Sequence, residues 1–405
     1  MKLSRRQLLL AGTFGGASLV AYTYRRGIRI PTLHWDPALP PSVIQLSDSL
    51  NVELNDSIHV STLGAADVSF RAYAPEPVIV LHSETTQTIH ISVNNVVADA
   101  QLQANADKAV KEERRNGITR ELTLALNANE RIELKWQLAQ QSNYTFASIG
   151  DTGGNHELKW CLQRASDLGA RFLLHLGDFN YQKGDYARSI ELFRDSPIPV
   201  YITIGNHDFH ENGAIYGHFL NEIGPLNNAF SIGKTRFINI DTAANTLPFS
   251  AGHRGDLFDS LALDNNSFND TVAFTHRPLH DPSGDTTHDI GSIGERDWLI
   301  NSLKRVESKT LLSGHIHIYD RRDFNGIDNI IAGQGLGHQD LLVGKDHSHL
   351  AIGNVNHEGR VSFTKAPLAM PMALHCHPRI QPVKESLIDG DGKALIELIN
   401  KACTQ

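Results

Sequence analysis

From Tyr144 onward, six short apolar runs alternate with helical text, and five of them end on side chains able to hold a metal. The runs are Thr145–Ile149, Phe172–Leu176, Pro199–Ile204, Phe237–Ile240, Val272–Phe274 and Thr310–Leu312. Between the first two, Leu158, Leu162, Ala165 and Leu168 fall near one face of a helix predicted over His156–Leu168, which Gly169 can end. A second helix is predicted over Glu295–Val306, with Trp298, Leu299, Leu303 and Val306 as its buried side. Buried strands alternating with helices require an α/β core, and in such sheets ligands bind at the strand ends.

The five endings read Gly150-Asp151-Thr152-Gly153, Gly177-Asp178-Phe179-Asn180-Tyr181, Gly205-Asn206-His207-Asp208, Thr275-His276-Arg277-Pro278 and Gly314-His315-Ile316-His317. The fourth run ends in Asp241-Thr242, which is left out of the ligand set. Two neighbouring cations repel each other, so a carboxylate must bridge them and further anionic or imidazole donors must neutralise them. Glycine before a ligand lets the chain turn without a side chain blocking the metals. Carboxylates, an amide oxygen, imidazoles and a phenolate are hard to borderline donors, suited to iron, manganese or zinc rather than copper(I). One Gly-Asp or Gly-x-His fragment alone is more often a plain turn. Five in order, each after an apolar run, make a strong joint signal.

This order of Asp-x-Gly, Gly-Asp-x-x-Tyr, Gly-Asn-His-Asp, x-x-His and Gly-His-x-His resembles the calcineurin-like metallophosphoesterases, specifically their purple acid phosphatase branch. The resemblance covers about residues 144 to 335 and fits a preceding β-domain, as in plant-type members of that branch. The wider superfamily has a histidine where Gly153 stands, whereas Tyr181 stands where the purple branch has its tyrosinate. The resemblance implies a metallophosphoesterase-type αββα sandwich. One metal site would use Asp151, Tyr181 and His317, the other Asn206, His276 and His315, with Asp178 bridging. Tyrosine loses its proton only near pH 10 when free, so a strongly acidic iron(III) is its natural partner. Zinc, manganese or iron(II) would fill the other site. The implied reaction is hydrolysis of a small phosphate ester, a monoester in the leading reading, by a metal-bound hydroxide. His207 would protonate the leaving group or hold the phosphate, and Asp208 would orient His207. His280 and His288, in the loop after His276, are further candidates for phosphate contact. A phosphodiesterase or nucleotidase on the same scaffold is the alternative. A non-enzymatic cell-surface binding protein is the third reading, and the complete ligand set argues against it.

The remaining text sets the frame. Arg5-Arg6 precede an apolar stretch of about fifteen residues, short of a membrane span, and the pair resembles a twin-arginine export signal. The chain is therefore expected to be exported, to a periplasm or beyond, with the N-terminus cleaved or kept as an anchor. Prolines 31, 37, 40 and 41 mark a connector. Strand-like runs at Ile58–Val60, Val68–Phe70, Val78–Val80, Ile89–Val93, Ile118–Leu126 and Ile132–Leu138 then predict a small all-β sandwich. The expected boundaries are signal or anchor 1–28, linker 29–50, β-sandwich 51–141, catalytic domain 142–366 and a tail 367–405 with one helix near Glu385–Ala402. The net charge of −8 argues against nucleic-acid binding. Three cysteines are too few for a disulfide scaffold, and Cys161 is expected in the core. His347-Ser348-His349 and His375-Cys376-His377 lack the further ligands of a closed metal site. Nothing in the sequence sets an oligomeric state.

Overall fold

The computed structural model describes residues 42–369, apart from 56, 64–66, 106–107, 209–215, 244–251, 265–266, 285–287, 292 and 336–347. The expected export segment, the tail helix and the His375-Cys376-His377 cluster lie outside the described residues.

Ten strands form the first domain: β1 (Val43–Ser47), β2 (Leu50–Leu54), β3 (Ile58–Leu63), β4 (Asp67–Ala72), β5 (Val78–Ser83), β6 (Gln87–Asn94), β7 (Ala100–Ala104), β8 (Val110–Asn116), β9 (Thr119–Leu126) and β10 (Glu130–Leu138). They make two five-stranded sheets, β1-β2-β5-β10-β7 and β3-β4-β6-β9-β8. Alternation builds the core between them. Along β10, Ile132, Leu134, Trp136 and Leu138 are buried, and they join Val52, Phe70, Ile79, Val93 and Leu124 in one cluster. The domain starts earlier than expected, because β1 and the start of β2 lie inside the stretch read as linker. Val43-Ile44-Gln45-Leu46 pairs antiparallel with β2 as an edge strand.

The second domain contains β11 (Tyr144–Ile149), α1 (His156–Asp167), β12 (Ala170–His175), α2 (Asp185–Arg194), β13 (Val200–Ile202), α3 (Gly217–Glu222), β14 (Asn228–Ile232), β15 (Thr235–Ile240) and α4 (His253–Leu263). It continues through β16 (Asp270–Thr275), α5 (Ile293–Arg305), β17 (Thr310–Ser313), β18 (Tyr319–Phe324), β19 (Ile327–Ala332), β20 (His349–Val355) and β21 (Val361–Pro367). Sheet β13-β12-β11-β20-β21 faces sheet β14-β15-β16-β17-β19-β18. Between them Phe146 stacks on Phe172 at 5.4 Å and meets Phe237 edge-on at 5.2 Å. The outer face of the first sheet is covered through Leu158, Cys161, Leu162, Phe193 and Phe219 of α1 to α3. The second is covered through Phe258, Leu299 and Leu303 of α4 and α5. The four layers are helix, sheet, sheet, helix, and the expected αββα sandwich behind a β-domain is the observed fold.

The domains touch where β3 meets α3. His59 of β3 is buried there and stacks on Tyr73 at 6.2 Å. Burial, and then the charge of Arg71, push its pKa down to about 3. A histidine depressed in the fold stabilises above its unfolded value near 6.5 and loses that contribution as pH falls towards the folded value. The expected result is an acid limb in thermal stability between pH 6.5 and 3, worth up to about 1.4 kcal/mol per pH unit from this residue. His59→Phe should flatten it in thermal melts; an unchanged limb would remove His59 from the account.

Candidate metal centre

Each expected ligand stands at or just beyond a strand end. Asp151 follows β11, Asp178 follows β12, Asn206 follows β13, His276 follows β16, and His315 and His317 follow β17. Asp151, Asp178 and His315 have φ of 63°, 59° and 67°. That left-handed region costs non-glycine residues on the order of 1–3 kcal/mol each, so the surrounding fold holds these three against their own preference. Two glycines show how close the loops run. A Cβ at Gly205 would collide with the Asp178 carboxylate, and one at Gly314 would lie 2.6 Å from Asp151 Oδ2.

The side chains gather in two groups. In the first, the Tyr181 hydroxyl is 3.2 Å from Asp151 Oδ1 and 3.2 Å from His317 Nε2, and His317 Nε2 is 3.5 Å from Asp151 Oδ1. Tyr181 reaches this point because Asp185 Oδ2, at the start of α2, accepts from the main-chain N–H of Tyr181 (3.2 Å) and Gln182 (2.9 Å). In the second, His276 Nε2 is 2.9 Å from Asn206 Oδ1, 3.1 Å from His315 Nδ1 and 3.4 Å from Asp178 Oδ2. The other nitrogen of His276, Nδ1, lies 2.8 Å from the Leu176 carbonyl. That bond orients the ring and leaves Nε2 for a ligand role.

These residues fit a pair of metal ions. Ligand atoms held 2.0–2.2 Å from one ion lie about 3 to 3.5 Å from each other, which is the spacing within each group. Asp178, His276 and His315 by themselves form a cluster able to hold an ion. The charges suit it too. Burial opposes ionisation of Asp178, but the charge of His276 and the hydrogen bonds to Asp178 hold its carboxyl well below the usual range. Burial would lower His276, yet Asp178 raises it to about 9. Asp151 is pushed up by its burial. His315 is pushed down to about 2 by burial and by the charges of His276 and Arg277, which favours its neutral, metal-binding form. Asp178 Oδ2 faces the second group while Oδ1 accepts the His207 main-chain N–H at 2.8 Å.

Two further expected residues make contacts of their own away from the ligand groups. Asp208, expected to orient His207, instead accepts main-chain hydrogen bonds: from Gly205 (2.7 Å) and Asp178 (3.0 Å) at Oδ2, and from Phe179 (3.0 Å) at Oδ1. It ties the turn after β12 to the turn after β13. His280, expected as a phosphate contact, stacks on Phe324 of β18 at 5.2 Å and does not join the ligand groups. His288 does approach, with its ring 5.7 Å from that of His315 and its Nδ1 3.0 Å from Asp281 Oδ2. His207 lies with its ring 4.8 Å from the Tyr181 ring.

Sequence reasoning passed over Asp281 and Arg277. Asp281 is buried and seven residues from its partner, without a motif to mark it. Arg277 sits inside the fourth ending, but as a spacer. Its Nη1 is 2.9 Å from His315 Nε2, and its Nε donates to the Ala243 carbonyl at 3.4 Å.

Residues 144–319 match the family model of the calcineurin-like phosphoesterases. No curated protein matches the chain. Among solved structures, the purple acid phosphatase PPD1 from yellow lupin (Lupinus luteus) seeds is similar at 14% identity, over 73% of this chain and 70% of that one, with a TM-score of 0.43. PhoD is similar at 11% identity, over 81% of this chain and 90% of that one, with a TM-score of 0.42. GAP50, the anchor in the inner membrane complex of Plasmodium, is similar at 16% identity, over 56% and 85%, with a TM-score of 0.43. Residues 144–319 are therefore similar to a calcineurin-like phosphoesterase domain.

Proposed function

We propose that this calcineurin-like phosphoesterase domain is a dinuclear phosphomonoesterase of the purple acid phosphatase type, exported from the cytoplasm. The observation that supports it best is the Tyr181 hydroxyl, 3.2 Å from both Asp151 Oδ1 and His317 Nε2. A phenol in that position supplies a third donor to one ion, and iron(III) is the ion that favours a tyrosinate. Asp151, Tyr181 and His317 would hold iron(III), and Asn206, His276 and His315 would hold zinc, manganese or iron(II), with Asp178 shared. Bound there, the ions supply Lewis acidity to the phosphate oxygens and a nucleophile from water.

The chain's own residues do the rest. His207, half-exposed beside Tyr181, supplies a proton to the leaving oxygen from a ring nitrogen. Asp281 orients His288 through Nδ1, which directs the opposite ring nitrogen outward to a phosphate oxygen. The Arg277 guanidinium adds positive charge on the far side of His315.

The test is the visible spectrum of the purified protein together with elemental analysis for iron, zinc and manganese. A charge-transfer band that disappears in Tyr181→Phe, with faster turnover of an aryl phosphate than of its bis-aryl diester, is the expected result. A colourless protein holding two zinc or manganese ions would overturn the purple-type assignment, and faster diester cleavage would overturn the monoesterase.

A further inference from the structure

Strand β13 is three residues long and lies at the edge of its sheet, paired only with β12 among the described residues. Every other strand that leads into an expected ligand has a neighbour on both sides: β11, β12, β16 and β17 are all internal. An edge strand presents unpaired main-chain groups and is the least constrained position in a sheet. β13 leads into Asn206, so one ligand of the second group depends on the weakest-held strand.

The first domain closes that edge. Asn95 Oδ1 accepts the Val200 N–H at 2.8 Å, and Asn95 Nδ2 donates to the Val200 carbonyl at 3.0 Å. The same Nδ2 donates to the Ala72 carbonyl at 2.8 Å. Arg71 Nη2 makes a second bond to the Val200 carbonyl at 3.0 Å. A carboxamide offers the donor and acceptor of a peptide group, so Asn95 stands in for the neighbouring strand that β13 lacks. It is fully buried, and its own φ of 68° is one that asparagine tolerates better than most residues. From Val200 the connection to Asn206 has little slack. Thr203 N–H donates to the His175 carbonyl at 2.9 Å, Gly205 N–H to Asp208 at 2.7 Å, and residues 203–205 are buried.

We propose that the β-domain positions the second metal site: Asn95, helped by Arg71, splints β13 so that Asn206 Oδ1 stays within reach of the ion held by His276 and His315. Asn95 is a positioning residue, since it touches neither metal nor substrate. The inference rests on the dinuclear reading. It predicts an unequal effect, because Asp151, Tyr181 and His317 come after β11, β12 and β17, each already held by a strand on both sides.

The experiment is metal stoichiometry and affinity of the full chain, wild type against Asn95→Ala, by elemental analysis after dialysis and by titration of zinc into protein stripped of metal. The expected variant keeps one ion per chain at wild-type affinity and binds the other about 10- to 100-fold more weakly, the scale for losing a residue that supports a ligand. Excess zinc should restore its turnover. Equal weakening at both sites, or two ions at wild-type affinity, would overturn the splint. A wild-type protein that binds one ion or none would instead defeat the dinuclear reading. Should Asn95→Ala fail to fold, Arg71→Met removes one of the two donors to Val200 and is judged on the same inequality.

Discussion

Asp178→Asn is expected to reduce kcat/KM by a factor of about 10³ or more, about 4 kcal/mol of transition-state stabilisation, and to leave one metal ion per chain or none. The substitution keeps the shape and one acceptor oxygen but removes the charge. Asp178 is 1% exposed and its Oδ2 lies 3.4 Å from His276 Nε2, so its charge acts at short range with little water to screen it. That charge also holds His276 at a raised pKa of about 9, and an amide in its place would let the histidine fall towards neutrality. In the proposed dinuclear site, two cations would then lack a shared negative charge between them. The main-chain support survives, because the N–H of residue 178 donates to Asp208 whatever the side chain is. Loss of metal without loss of fold is therefore the signature. It is checked by elemental analysis beside circular dichroism and steady-state kinetics. A variant that kept two ions and activity within about tenfold of wild type would remove Asp178 from the bridging position.

The strand-end placement of the candidate ligands was legible because short apolar runs precede them, and the runs were readable as strands. Asp151, Asp178, Asn206, His276 and His315 needed no knowledge of which strand pairs with which. The parts that escaped are those whose meaning lies in pairing. β8 reads Val-Lys-Glu-Glu-Arg-Arg-Asn, an edge strand with mostly exposed side chains and no apolar alternation to betray it. β20 returns from far along the chain to lie antiparallel beside β11, a register that no local pattern encodes. Helix α2 carries Tyr186, Ser189 and Phe193 on its buried face, a stripe too polar to separate from the metal-binding text before it. Asn95 reads as a turn asparagine, and only the three-dimensional contact with Val200, 105 positions on, gives it a task.

Asp208 carries the same point to a measurable consequence. Its place next to His207 in sequence suggests an orienting carboxylate, yet strand-end turns put consecutive side chains on different surfaces. Its carboxylate points back into the protein, where the N–H groups of Gly205, Asp178 and Phe179 converge on it at 2.7 to 3.0 Å. Burial and the charge of Asp178 push its pKa up, and the hydrogen bonds from Gly205 and Asp178 oppose that rise. Asp208→Ala removes the acceptor from three N–H groups at once. A buried unsatisfied donor costs about 1–3 kcal/mol, and partial relaxation brings the expected loss to roughly 3–6 kcal/mol of stability. Both ligand turns would loosen together, so affinity should fall for both ions, unlike the one-sided loss expected at Asn95. An orienting role for His207 predicts the reverse: normal stability, normal metal content and an altered pH profile of turnover. Denaturant unfolding of the metal-free proteins separates the two, because it reads the knot without the ions. An Asp208→Ala protein within about 1 kcal/mol of wild type would return Asp208 to its place beside His207.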